Sequence, residues 1–314
     1  MNIVVMGGAG FIGTNLAIRL VENAADKITV IDEKESFFLH YPKDTLSKIK
    51  IRELAFNEET NFDECVIDQD IVYHLISTNN PTTSNKSIGK DLTDNLLITI
   101  HLLEACVKMH IKKVIFISSG GTVYGKEVTC PISEFSKNQP INTYGIQKLT
   151  IEKLLYLYQH VYGLKYSIIR LSNPYGPFQR PNGQLGVVTT FIYNALHNKK
   201  IYVYGDGTVI RDYIYISDVI DAILNIMEGD TEYRIYNVGS GKGIHLNKII
   251  DIINTELGMS TEVEYLGGRD VDVPVNYLDI SRYEREFGKL EKTPLILGMK
   301  KTMNFLERTT RGWS

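Results

Sequence analysis

The chain has 314 residues, 23% of them charged, and a formal net charge of −3 with no long run of one sign. That length suits one large domain or two around an ample core, and the charge balance speaks against nucleic acid or a membrane surface as a partner. Three cysteines, Cys65, Cys106 and Cys130, are an odd number without metal-ligand spacing, so a reducing, cytoplasmic compartment and no metal site are expected.

The chain opens on an apolar run, residues 3–6, that stops at a glycine cluster and is followed by Leu16, Leu20 and Val21 at helical spacing. This predicts strand, tight turn and helix, with the first strand buried on both faces. Gly8, Gly10 and Gly13 fit G-x-G-x-x-G, and Gly7, Gly10 and Gly13 fit the variant G-x-x-G-x-x-G. Such glycines permit a tight turn, close approach of backbone to a pyrophosphate, and close helix–strand packing. The opening N–H groups of the helix, at Phe11 and Ile12, would then face the phosphates. A second strand, 27–31, ends in Asp32, where a carboxylate holds adenosine ribose hydroxyls and repels a 2′-phosphate. NAD is favoured over NADP, although Lys34 lies close by in sequence. No basic region or cleavable apolar segment precedes the first strand, and no apolar stretch reaches membrane-spanning length.

A polar stretch, 33–48, leads to a short strand-like run at 49–54. Residues 70–76 form the next buried strand, followed by a polar loop to about Asp91 and a helix from about Asn95 to Met109. A strand at 113–117 runs into Ser118-Ser-Gly-Gly-Thr-Val-Tyr-Gly125. After a loop with Pro131 and Pro140 come a helix over 144–161 and a strand over 166–171. This alternation predicts a doubly wound parallel sheet. Beyond the turn-rich 173–181 come a helix near 187–197, a strand at 201–204, a turn at 205–207, a capped helix at 217–227 and a buried strand at 234–239. The tail from Leu246 is helical, then mixed. The division expected is a dinucleotide-binding domain over 1–173, rejoined by 212–238, and a smaller domain of mixed helix and strand over 174–211 and 239–314. The cleft would lie above the C-terminal strand ends.

Tyr144 and Lys148 are four apart on one predicted helix and share a face. A tyrosine hydroxyl, with a reference pKa of roughly 10, is a poor base at neutral pH. A nearby ammonium and a positively charged nicotinamide both favour tyrosinate, which makes it a usable acid/base. A chain with 19 tyrosines and this many lysines contains about one such pair by chance. The placement therefore carries the weight: the pair opens the helix after the fifth sheet strand, whose end supplies the hydroxyls of Ser118, Ser119 and Thr122.

Together with His74-Leu75, Asn95, Val-Tyr-Gly at 123–125, the stretch from Arg170 to Pro177, Arg211-Asp-Tyr213, Asn237-Val-Gly-Ser-Gly241 and the segment from Arg269 to Asp279, these motifs make a pattern. The chain resembles, nearly end to end, the extended short-chain dehydrogenases/reductases of the NAD-dependent sugar epimerase/dehydratase family, and is most similar to the nucleotide-sugar 4-epimerases. The resemblance implies NAD as cofactor, a nucleotide sugar as substrate and a homodimer built on the helices from Asn95 and Tyr144, which apolar residues including Leu102, Leu103, Ile151, Leu154 and Leu155 would permit, though they would equally serve the sheet face. Tyr144 would be the acid/base and Lys148 would hold the nicotinamide ribose. Leu75 and Asn95 would line the cofactor, Asn173 would contact the sugar nucleotide, and Arg211 and Arg269 would grip its diphosphate. Asn276 aligns with a gate beside the sugar 2-position, so that UDP-GlcNAc and UDP-GalNAc are expected to be accepted alongside UDP-Glc and UDP-Gal.

The chain departs from the pattern at Gly120, where the family carries Ser or Thr bonded to the reacting hydroxyl. Thr122, two residues on along the same face of an extended strand, is the first substitute, and Ser119 the second. Ile76-Ser77 replaces the family's Ala-Ala, and the acidic adenine-side motif near Glu53-Leu54 is poorly matched. Gly121 and Thr122 stand where the resembling 4,6-dehydratases place Asp-Glu, which counts against dehydration. A 4-keto-sugar reductase using the same Tyr/Lys pair is the alternative activity, and a non-catalytic NAD-binding protein a distant third.

Overall fold

The computed structural model describes residues 1–23, 25, 27–79, 84–85, 87–181, 186–268 and 273–309. The chain alternates strand and helix through β1 (Asn2–Met6), α1 (Phe11–Glu22), β2 (Lys27–Asp32), α2 (Lys43–Leu46), β3 (Lys50–Glu53), α3 (Asp63–Val66), β4 (Ile71–His74), α4 (Ile88–Lys108), β5 (Lys113–Ser119), α5 (Thr143–Tyr162) and β6 (Tyr166–Leu171). There follow β7 (Asn173–Tyr175), α6 (Val187–Leu196), β8 (Ile201–Tyr204), β9 (Ile210–Tyr215), α7 (Ile216–Glu228), β10 (Ile235–Val238), β11 (Gly243–His245), α8 (Leu246–Thr255), β12 (Val263–Leu266), β13 (Val275–Asn276), α9 (Ser281–Phe287) and α10 (Leu295–Thr309).

Seven strands form one parallel sheet in the order β10-β6-β5-β4-β1-β2-β3. Its alternating residues feed two cores, as the two-residue period of a strand requires. Ile3 and Val5 of β1, Ile115 and Ile117 of β5 and Ile169 of β6 pack with α1 and α7, through Leu16, Leu20, Val219 and Ile223. Val4, Met6, Val114, Phe116 and Ile168 pack on the other face with α4 and α5, through Leu102, Leu103, Ile151 and Leu155. This is the doubly wound arrangement read from the sequence. Strand order reverses between β1 and β4, which opens the crevice in which such sheets bind ligands.

The second lobe is built on β9, which pairs parallel with β7 and β13 and antiparallel with β11, and on a separate parallel pair, β8 and β12. These strands, except β8, escape the sequence reading. Four of them are two to four residues long, and β9, the longest, is broken by Arg211-Asp212, so it reads neither as an apolar run nor as an alternation.

Three further differences have local causes. Helix α4 begins at Ile88 rather than near Asn95, because its first two turns are mostly polar, with no buried residue before Asn95, and show no apolar stripe. Ser217 does not cap α7: Tyr215 occupies the N-cap without a side-chain bond, and Ser217 Oγ instead accepts from Arg19 Nη2 at 3.2 Å. Four of the five residues expected at a dimer face, Leu102, Leu103, Ile151 and Leu155, are 0% exposed in the core against the sheet. Leu154 is partly buried against the same core. Among the described residues no helix is long and apolar enough to cross a membrane.

Candidate active site

The glycine turn divides its labour. Gly7 adopts φ +74°, and its N–H donates to Ile31 O at 2.9 Å, closing the turn onto β2. A Cβ on Gly13 would lie 2.3 Å from Gly8 O, so this glycine is what lets α1 press against the turn. Gly10, the N-cap of α1, is different: a Cβ there would meet only Gly7 O, at 3.7 Å. The space above it is open, and the first-turn N–H groups of Phe11 and Ile12 have no helical carbonyl and no side-chain cap. That is a cradle for a phosphate, and it fits a dinucleotide.

Asp32 ends β2 beside this cradle. Its Oδ2 accepts from Ala9 N at 2.7 Å and its Oδ1 from Glu33 N at 2.8 Å. Burial raises the carboxyl, while those two N–H groups and the Arg180 guanidinium pull it back. Leu75 follows β4 and donates its N–H to Met6 O at 3.0 Å. Asn95 is buried on α4 and its amide ties down the loop after β4: Oδ1 accepts from Thr78 N at 3.0 Å, and Nδ2 donates to Thr78 Oγ1 at 2.7 Å. Asn95 thus bears on the crevice by holding Thr78.

Helix α5 starts sharply because Asn142 Oδ1 accepts from Gly145 N at 2.8 Å, which sets Tyr144 in the first turn. Lys148, one turn on, is buried. Its Nζ donates to Ile117 O of β5 at 3.0 Å and stands 5.5 Å from the centre of the Tyr144 ring and 4.8 Å from that of Phe116. Burial brings the Lys148 ammonium down to about 8, with Glu152 pulling it back up. Burial pushes the Tyr144 hydroxyl up to about 12. In the protein alone burial is what sets the Tyr144 hydroxyl, and the expected help toward tyrosinate involves the cationic nicotinamide as well as Lys148.

Glu152, a further turn along α5, was missed by sequence reasoning. Its carboxylate takes Ser118 Oγ at 2.6 Å, Arg170 Nε at 3.0 Å and Arg170 Nη2 at 2.6 Å, and the side chains of Arg170 and Glu152 are only 2% and 1% exposed. The signal was present: a glutamate one turn after Lys148, and an arginine, the one charged residue, inside the buried strand 166–171.

Ser119 closes β5, half-buried. Gly120 has no room for a side chain: a Cβ would meet Leu278 Cδ1 at 2.6 Å and Arg170 O at 3.2 Å. Thr122 Oγ1 is buried and has no partner among the described residues. From the second lobe, Asn276 is fully buried against this same point, its Nδ2 3.3 Å from Gly120 O and its Oδ1 without a partner among the described residues. Asn173 Nδ2 donates to Asp212 O at 3.0 Å, which fixes β7 on β9. Arg211 Nη1 donates to Val273 O at 2.6 Å and to its neighbour Ile210 O at 2.8 Å. Asp212 is a clasp: its carboxylate receives Ser240 N and Oγ at 2.7 Å, Gly241 N at 3.2 Å and Leu278 N at 3.3 Å. Arg269 lies outside the described residues.

Tyr144, Lys148, Ser119 and Thr122 therefore gather around the C-terminal end of β5, with Asn276 above and the glycine cradle two strands away in the sheet. A cavity of about 490 Å³ lies at the opposite, N-terminal edge, lined by Lys112, Lys113, Lys165 and Arg234, and takes no part in this site.

The family model of the NAD-dependent epimerase/dehydratase family matches residues 3–239. The crystal structure of UDP-glucose 4-epimerase from Thermotoga maritima with UDP-glucose is similar at TM-score 0.91 and 33% identity, covering 99% of this chain and 100% of that one. The UDP-N-acetylglucosamine 4-epimerase from Methanobrevibacter ruminantium M1, in complex with UDP-N-acetylmuramic acid, is similar at TM-score 0.90 and 28% identity, with 98% of each chain covered. The dTDP-4-dehydro-6-deoxyglucose reductase of Escherichia coli is 33% identical over 297 residues, 91% of each chain.

Proposed function

The chain belongs to the NAD-dependent epimerase/dehydratase family, and from that premise we propose that it interconverts UDP-hexoses at C4, with UDP-glucose and UDP-galactose as one pair and their N-acetylated counterparts as a second. The observation that carries the reading is the Tyr144/Lys148 pair, held by Lys148 Nζ on Ile117 O at 3.0 Å beside the hydroxyls at the end of β5. Held by the glycine turn and Asp32, NAD would supply the hydride acceptor and donor for C4 of the sugar. Tyr144 takes the C4-hydroxyl proton as the sugar is oxidised and gives it back on reduction. Lys148, fixed on Ile117 O and partly countered by Glu152, holds the nicotinamide ribose and favours the tyrosinate. Thr122 Oγ1, which lacks a partner among the described residues, serves the reacting hydroxyl in place of the side chain that Leu278 excludes from position 120. Gly7, Gly10, Gly13 and Asp32 seat the dinucleotide.

The smaller lobe, over 174–211 and 239–314, grips the nucleotide sugar through Arg211 and Arg269, with Asn173 at its boundary with the dinucleotide-binding domain, the arginine forks suiting phosphate oxygens. Asn276 Oδ1 is an acceptor awaiting a donor, and an acetamido N–H provides one. The dimer, if built on α5, uses the outer stripe of Ile146, Leu157 and Val161, exposed at 42%, 50% and 55%, since the inner residues are spent on the sheet. Cytoplasmic residence agrees with three free cysteines.

Purified protein incubated with UDP-glucose, UDP-galactose and their acetamido analogues, without added cofactor, should yield epimer mixtures with no net consumption of NADH. The reductase among the relatives makes the second reading concrete. Stoichiometric loss of NADH on a 4-keto sugar nucleotide, with no epimerisation, would establish reductase activity instead.

A further inference from the structure

The segment after β7 crosses back from the second lobe to the glycine turn. Pro177 O accepts from Asn15 Nδ2 of α1 at 3.0 Å. Phe178, with φ +68°, sets its ring 6.0 Å from that of His40 and 4.8 Å from that of Phe305 in α10. His40 Nε2 is in turn 2.8 Å from Thr14 Oγ1, and Tyr41 donates to Gly8 O at 2.7 Å. Arg180 then lays its guanidinium over the Phe37 ring at 5.1 Å, with Lys34 over the same ring at 5.8 Å. Phe37 belongs to the single turn that directly follows Asp32. The contacts thus end at the turn just after Asp32, the carboxylate expected to hold the adenosine ribose.

We propose that Arg180 closes the adenosine end of the dinucleotide site and retains the dinucleotide there. This rests on the reading of NAD as a resident cofactor, returned unchanged by each turnover. A guanidinium is planar, stacks on aromatic faces and keeps its outer N–H groups free to donate. Placed over Phe37, it is positioned to lie against adenine or its ribose. Its charge also faces Asp32 and His40: it helps keep the Asp32 carboxylate ionised, hence able to accept from ribose hydroxyls, and with burial it lowers His40 to about 4. A guanidinium at this place could instead read a 2′-phosphate. Asp32 opposes that with its own negative charge at the ribose.

The test follows release of bound nucleotide. Wild type and Arg180→Ala are loaded with NAD or with ADP-ribose, desalted, and the loss of nucleotide is timed by chromatography. Arg180 is exposed, so the variant should melt with wild type when ligand-free. Release of both ligands should be about tenfold faster in the variant. Equal release rates overturn the proposal. So does faster release of NAD but not of ADP-ribose, which would put Arg180 at the nicotinamide end. An effect confined to NADP, loaded in parallel, overturns it too by making Arg180 a 2′-phosphate reader. A wild type that retains neither NAD nor ADP-ribose overturns the resident-cofactor reading together with the proposal, and so is told apart from failure of Arg180 alone.

Discussion

Tyr144 cannot act alone as a base at neutral pH, since burial has pushed its hydroxyl up to about 12. For Tyr144 to act as proposed, a cationic nicotinamide and Lys148 would have to supply the stabilisation that burial denies to tyrosinate. Tyr144→Phe, which removes the hydroxyl and little volume, should lower kcat by roughly 10²–10⁴-fold in a folded protein. Thr122→Val should slow the same assay, while Ser119→Ala should matter less; the reverse order would assign the reacting hydroxyl to Ser119. Lys148 makes a second test, of sign. Its value in the folded chain, about 8, lies below the ordinary 10.5, so between these pH values the unfolded state binds more protons and stability rises with pH. Lys148→Met should therefore raise the melting temperature of the unliganded protein at pH 7 while abolishing turnover. Calorimetry at pH 7, 9 and 10 should show that increment shrinking, and a constant increment would mean that Lys148 is not held as a buried cation.

At the scale of elements, the end of β5 depends on the pair beneath it. Arg170 on β6 and Glu152 on α5 join strand to helix, and Ser118 of β5 bonds the same carboxylate. A buried arginine stripped of its partner is an uncompensated charge. Glu152→Gln should cost about 3–5 kcal/mol in denaturant unfolding, and a loss below 1 kcal/mol would mean that water reaches Arg170. The same junction shows how far the sequence was readable. The Tyr144/Lys148 spacing and the strand before it were legible because both are local. The exclusion of a side chain at position 120 was not, because Leu278, which fills that space, is more than 150 residues away and lies on no repeating pattern.

For the whole molecule, the outer face of α5 is where a dimer contact is proposed. Ile146, Leu157 and Val161 line it, and double substitution Leu157→Glu/Val161→Glu should convert a dimer to a monomer in sedimentation at micromolar concentration with the fold intact. A wild type already monomeric there would sink the dimer. Leu102, Leu103, Ile151 and Leu155, open from the sequence to either a dimer face or the sheet, lie against the sheet; helical periodicity marks an apolar face without saying which surface covers it.

By itself the sequence determined the doubly wound sheet, the glycine turn with Asp32 at the next strand end, and the placement of Tyr144 and Lys148. Each of these is written in residues within about one strand–turn–helix unit, where period, turn chemistry and spacing act directly. Only the tertiary structure decided that Asp212 is a clasp for Ser240, Gly241 and Leu278, that Asn276 meets Gly120 across the two lobes, that Glu152 and Arg170 are buried together, and that Arg180 reaches the turn after Asp32. The reason is distance along the chain: Asn276 and Gly120, for instance, are 156 positions apart. No local propensity couples such residues, and only the closing of the second lobe over the strand ends brings their polar and charged groups within bonding reach.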